Sequence, residues 1–260
     1  MTFTEHLGEL RVRIIRSLIA LLVGLIVCYA LYDPIFQILS RPLTTLERQG
    51  APPAEGNPTP LPSQVPESSP WLILNPLEPF LVRLKLAAVA GTVVALPYIV
   101  YQLCAFVFPG LKPNERRAAR ILILGCSLLV VIGVGVAYFG VLPLVLPYLV
   151  KSAPVGVEFK LRMSETVAQI LKFLLGFAIA FQFPMVVWVL VYLGLLKPAT
   201  LKRYRREAIL GLACIAAVFT PPEPISMLLM LIPLVLLYEG SIWVGTLTLW
   251  LRKTKTRVAL

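Results

Sequence analysis

The sequence predicts an all-α membrane protein with several transmembrane helices, and three observations lead there. Of the 260 residues 58% are hydrophobic and only 14% charged, with a mean hydropathy of +0.84, whereas a soluble domain carries roughly 25% charged residues. The apolar residues fall into charge-poor runs, each long enough for the roughly 20 helical residues that cross a hydrocarbon core of about 30 Å. The basic residues gather between alternate runs, which is a topological signature and not a nucleic-acid-binding one. These features exclude a soluble fold.

In chain order, residues 1–13 form a cytoplasmic amphipathic segment in which Phe3, Leu7 and Leu10, continued by Ile14, make an apolar stripe suited to the membrane surface. Span one follows from Ile14 to Tyr32, broken only by Arg16, whose long stem can snorkel to the interface. No small-x-small cleavage pattern follows it, so it is expected to stay in the membrane. Residues 51–70 hold seven prolines, which forbid helix and predict an extended external loop. Leu77, Phe80, Leu81 and Leu84 then repeat at helical spacing and lead into span two, Leu86 to Phe108. Span three, Ile121 to Val150, would be about 45 Å long and so tilts or emerges. Span four runs from Phe173 to Leu196. Pro97, Pro143, Pro147 and Pro184 should bend their helices.

The last third is less regular. Ala208 to Thr220 gives 13 residues before Pro221 and Pro222, about 20 Å of helix. Ile225 to Leu251 is long enough to cross, with Glu239 interrupting it. Two spans are favoured over a re-entrant hairpin turning at Thr220 to Pro224. Of the 24 basic residues, sixteen fall before or at the start of span one, between spans two and three, between spans four and five, and in the tail 252–260. The positive-inside rule then puts both termini in the cytoplasm.

Several chemistries lack their equipment. Asp33 is the sole aspartate and His6, at the N-terminus, the sole histidine, so there is no aspartyl pair, no zinc HExxH site and no Ser/His dyad in the membrane. No GxxxxGK[ST] loop is present. The chain is read as neither an enzyme nor a cofactor or metal carrier. Cys28, Cys104, Cys126 and Cys214 lie in apolar runs and are read as small core hydrophobes.

A few polar residues remain. Glu9 can pair with Arg13 at i,i+4. Glu115 follows Asn114, a fitting N-cap, and would sit favourably in a first helical turn. Gln182 lies in mid-span and needs a polar partner in another helix or a wet cavity. Glu239 falls near the inner interface as a solvated group, and Glu223 lies in the external turn.

His6-Leu7-Gly8-Glu9-Leu10-Arg11, Tyr101-Gln102 with Ala105-Phe106, Pro109 with Asn114-Glu115-Arg116-Arg117, Ala137-Tyr138-Phe139, Phe183-Pro184 and Phe219-Thr220-Pro221-Pro222 occur in this order. From His6 to about Trp243 the chain resembles the TatC family. That resemblance implies six spans in one polytopic domain, residues 1–260, with a cupped shape and short spans five and six. It also implies a receptor for twin-arginine signal peptides in the inner membrane, working with single-span TatA- and TatB-type partners, as a homo-oligomer within a larger complex, and driven by the proton motive force. On the same basis Glu9 and Glu115 would read the two arginines, with Phe106 and Tyr138 on the peptide-binding face. Gln182, Thr220, Pro221 and Glu223 would contact partners. Relatives often carry glutamate where this chain has Gln182, and an amide cannot titrate there. The competing reading is a secondary transporter, which would be expected to place ionisable groups or broken helices at mid-membrane.

Overall fold

The structure, a computed structural model, describes residues 3–50, 71–107, 116–151, 161–220 and 223–258. Among these, five helical units are long and apolar enough to cross a membrane: Leu7–Ala30, Glu78–Phe106, Leu122–Tyr148, Met163–Tyr192 and Pro224–Trp250. A sixth helix is shorter. The units correspond to α1 (Phe3–Ala30), α3 (Glu78–Val107), α4 with α5 (Arg116–Gly135 and Leu142–Lys151), α6 with α7 (Met163–Ala180 and Phe183–Tyr192) and α10 (Pro224–Val258). The sixth is α9 (Arg205–Phe219), preceded by the short, six-residue α8 (Pro198–Arg203). Helices α9 and α10 pack on each other and are joined at residues 220–223, as two spans would be.

The differences from expectation have local causes. The apolar stripe of residues 3–14 is no separate surface helix, because α1 runs from Phe3 to Ala30 without a break. After it, α2 (Tyr32–Gly50) is a helix that no apolar run announces, since its apolar residues occupy one face only. Span four begins at Met163, ten residues before its uninterrupted apolar run, and Ser164, Glu165, Gln169 and Lys172 are carried in that added length. Of spans five and six, only α9 is short, with 15 residues, or about 22 Å. Helix α10 is 35 residues long and continues through Pro233 and past its apolar stretch.

Two prolines act where the sequence places them, in different ways. Before Pro143 the helix widens into a π-helical turn, Val136–Val141, and Leu142 N–H donates to the Ala137 carbonyl five residues back. A wider turn accommodates a ring that has no N–H and that crowds the carbonyl four residues earlier. At Pro184 the helix breaks outright: Phe181 and Gln182 form a turn, and α7 restarts with Pro184 in its first turn.

The core forms where α3, α6, the π-helical turn and α10 meet. Leu86, Ala137, Val167, Phe177, Met230 and Leu234 are among its most buried side chains. Helix α1 lies at the edge and packs chiefly on α3. A Cβ placed on Gly91 would come 2.5 Å from the Leu25 nitrogen, and one on Gly24 would come 2.7 Å from the Gly91 oxygen. Only glycine allows two backbones this close. Cys28, Cys104 and Cys126 are buried as expected, but Cys214 is exposed, because α9 turns that side away from the bundle.

Candidate functional site

Since successive spans run in opposite directions, the start of α1, the end of α3, α8 and the end of α10 share one face, here the N-terminal face. The ends of α1 and α5, with the starts of α3, α6 and α10, share the far face. The predicted site residues divide between them.

At the N-terminal face the packing of α1 on α3 brings residues from distant sequence together. The Glu9 carboxylate accepts a hydrogen bond from Arg13 Nη2 in an i,i+4 ion pair. Arg13 Nη1 reaches across to Gln102 Oε1 at 3.4 Å. Gln102 is only 4% exposed, so it presents a fixed acceptor beside the pair. The Glu9 and Arg13 side chains are 31% and 20% exposed, and Arg13 Nε is buried without a partner. Phe106 lies one turn beyond Gln102 on α3 and is half-buried. Glu115 lies outside the described residues. The sequence pairs Arg13 with Glu9 but does not single out Gln102: an amide within a longer motif carries no mark of its contact with Arg13 across 89 positions.

Tyr138 does not join this group. It sits on the π-helical turn, and its hydroxyl donates to the Ile38 carbonyl on α2. Helix α2 starts two residues after α1 ends, which puts Tyr138 roughly 30 Å from Glu9 along α1. Phe139 beside it is 78% exposed and meets the Tyr138 ring edge-on at 4.8 Å.

Gln182 is 4% exposed and turned into the chain. Its Nε2 donates to the carbonyls of Cys126 at 3.3 Å and Ala178 at 3.4 Å, while Oε1 is buried without a partner. The partner that the sequence demanded is thus met by α4 and α6 of the same chain, and only on the donor side. In this structure the amide is not presented outward.

Thr220 is buried and its hydroxyl donates to the Ala216 carbonyl, closing α9. Gln169 of α6 donates to the Phe219 carbonyl at 3.2 Å. Glu223 stands immediately before α10, where its carbonyl accepts from Ser226 Oγ at 3.0 Å and Met227 N–H at 3.2 Å. Pro221 lies outside the described residues. On the N-terminal face Glu239 is not simply solvated: it pairs with Arg205 at 2.7 Å, and Tyr238 donates to the Leu201 carbonyl at 2.7 Å.

The sequence reading missed a cluster on the far face. Glu78 is 5% exposed and accepts from Arg162 Nε at 3.2 Å, Arg162 Nη2 at 3.0 Å and Leu74 N–H at 3.2 Å. Arg162 Nη1 also meets Glu165 at 2.6 Å. These bonds to Glu78, and then the charge of Glu165, raise the arginine's pKa above its ordinary value. A two-residue parallel pairing of Trp71–Leu72 with Leu161–Arg162 runs beside the cluster. Among the described residues no group of His, Cys, Asp and Glu is arranged to hold a metal ion.

The chain is similar along most of its length to known proteins. Residues 5–233 match the family model described as Sec-independent protein translocase protein (TatC). A Sec-independent protein translocase protein TatC from Aquifex aeolicus is 34% identical over 254 residues, covering 95% of each chain. One from Halothiobacillus neapolitanus is 31% identical over 243 residues, which is 94% of this chain but 62% of that longer protein. A crystal structure described as the twin arginine translocase receptor TatC superposes with a TM-score of 0.74 at 33% identity, covering 94% of this chain and 99% of that one. With the helical order and apolar spans above, these similarities show that the chain belongs to the TatC family of Sec-independent protein translocase proteins, non-enzymatic multi-pass proteins of the inner membrane.

Proposed function

We propose that the chain is the receptor subunit of a twin-arginine export system. It binds paired-arginine signal peptides at the cytoplasmic face through Glu9, Glu115 and Phe106. It assembles with TatA- and TatB-type single-span partners, through the α9–α10 turn at Thr220, Pro221 and Glu223, for proton-motive-force-driven transport of folded proteins. The basic residues at the N-terminal face make that face cytoplasmic by the positive-inside rule. Solved relatives described as twin arginine translocase receptors support the reading.

One observation carries it: the Glu9 carboxylate already holds a guanidinium, that of Arg13, beside the fixed acceptor of Gln102. A carboxylate and an amide oxygen placed to receive one arginine can receive another, because a guanidinium stays charged and offers a planar fork of donors. Arg13 then occupies the site until the peptide arrives. Lysine, a point charge, fits this arrangement less well. Tyr138 joins the same site only for a peptide that runs along α1, since about ten extended residues span 33 Å.

The test is the affinity of the purified protein for a signal peptide with consecutive arginines and for its twin-lysine counterpart. The arginine peptide should bind more tightly, and Glu9→Ala should weaken it by about 10- to 150-fold, the worth of one charge-assisted hydrogen bond. Arg13→Gln should leave binding unchanged or tighter, because it frees the carboxylate. Full-strength binding by Glu9→Ala would remove the reading.

A further inference from the structure

Arg83 lies five residues into α3 from Glu78, about 7.5 Å further along the helix axis. Glu78 is fixed at the far face by Leu74 and Arg162, so Arg83 falls at the depth where lipid headgroups meet acyl chains. Its guanidinium carbon is 4.7 Å from the Tyr29 ring centroid and 5.0 Å from that of Tyr32. Two π-faces thus hold the cation in one place. Its Nε is buried without a hydrogen bond, and no carboxylate among the described residues pairs with it. The two terminal nitrogens are not among the buried unpaired atoms and have no ion-pair partner among the described residues, so each keeps some surface open to an outside acceptor.

A guanidinium cannot shed its proton to relieve this position. It therefore calls for an anion from outside the chain. Nearby surfaces say which kind: Phe80, one turn toward the far face, is 55% exposed, Ile26 of α1 is 66% exposed, and Leu31, between α1 and α2, is 49% exposed. Apolar surface beside an open fork at interfacial depth suits a molecule with a phosphate at one end and hydrocarbon at the other. We propose that Arg83, held by Tyr29 and Tyr32, binds the phosphate of a phospholipid headgroup in the leaflet at the far face. The site is independent of the peptide-binding reading, since it lies at the opposite end of α1 from Glu9.

The experiment is native mass spectrometry of the full-length protein released from nanodiscs, with phosphatidylglycerol or with diacylglycerol of the same chains. Thermal unfolding in detergent with added lipid or with inorganic phosphate accompanies it. The wild type should retain phosphatidylglycerol in preference to diacylglycerol. Arg83→Gln should weaken that retention roughly ten-fold, as expected for loss of a charged fork to phosphate. Lys85→Gln, which removes an exposed cation two residues away, should leave it unchanged. Should Arg83→Gln not fold, Arg83→Lys keeps the charge but loses the fork, and must retain the lipid less well than the wild type. Equal retention by the wild type and the Arg83 variants would overturn the proposal. So would an equal loss in Lys85→Gln, which would indicate unspecific charge attraction. Stabilisation by inorganic phosphate alone, as large as by the lipid, would assign the fork to a soluble anion and not to a lipid.

Discussion

Gln182 shows how much one amide can constrain. Its Nε2 faces two carbonyl oxygens, those of Cys126 and Ala178, and its Oε1 meets no donor. Replacing it with leucine removes a half-satisfied polar group along with two bonds of 3.3 and 3.4 Å, and polar contacts between membrane helices contribute only about 0.6–2 kcal/mol. Gln182→Leu should therefore change thermal stability in detergent by no more than about 1 kcal/mol. Gln182→Glu is different. A carboxylate against two carbonyl oxygens is repelled and stands without a donor inside the bundle, so Gln182→Glu should lower the Tm in detergent at neutral pH by more than Gln182→Leu does, and equal Tm values for the two variants would contradict the arrangement.

At the scale of the helices, two contacts tie α3 to its neighbours. Helix α1 depends on its glycine crossing with α3, where an added Cβ on Gly91 would meet backbone at 2.5 Å. Because neither backbone can give way, Gly91→Ala should cost about 1–3 kcal/mol, in the range of overpacking. At Gly211 of α9 nothing lies within 4 Å of an added Cβ, so Gly211→Ala should be neutral or stabilising by up to about 1 kcal/mol. Thermal unfolding of the two variants side by side checks the contrast. On the far face, Arg162→Ala should lower the Tm because it strands the buried Glu78, whereas Glu165→Ala should matter less because its side chain is 69% exposed. These elements were unequally legible in the sequence. The long apolar runs of spans two and three could be read from periodicity, and proline chemistry marked Pro184 as a place where the helix bends, though it breaks there outright. Helix α2 could not, since one apolar face on a polar helix leaves no charge-free run, and the polar first turns of α6 hid its start. The candidate site was half legible. Glu9 and Arg13 stand four residues apart, but Gln102 and Arg162 acquire their roles only when α1 meets α3 and when β2 (Leu161–Arg162) meets β1 (Trp71–Leu72).

Over the whole molecule, the short α9 sets an uneven far face. Gln169 of α6 bonds the Phe219 carbonyl at the end of α9, and Gln169 lies seven residues along from Arg162, about 10 Å of helix. The end of α9, at Phe219 and Thr220, therefore sits roughly 10 Å below the cluster of Glu78 and Arg162, which leaves a recess in that face. Helix α9, at about 22 Å, is also shorter than the hydrocarbon core of about 30 Å, so the bilayer must thin beside it or water must enter the recess. Both consequences can be read by placing single cysteines in a cysteine-free variant and treating intact cells with an impermeant thiol reagent. A cysteine at Asn75, which is exposed on the far face, should react rapidly from outside. One at Glu223 should also react from outside, but more slowly, because the reagent must enter the recess. One at Tyr204, exposed on the N-terminal face, should react only after the membrane is opened. Reaction of the Tyr204 site in intact cells would invert the orientation given by the basic residues. Complete protection of the Glu223 site beside a reactive Asn75 site would mean that α9 stops within the membrane, and that α9 and α10 form a re-entrant pair, not two spans.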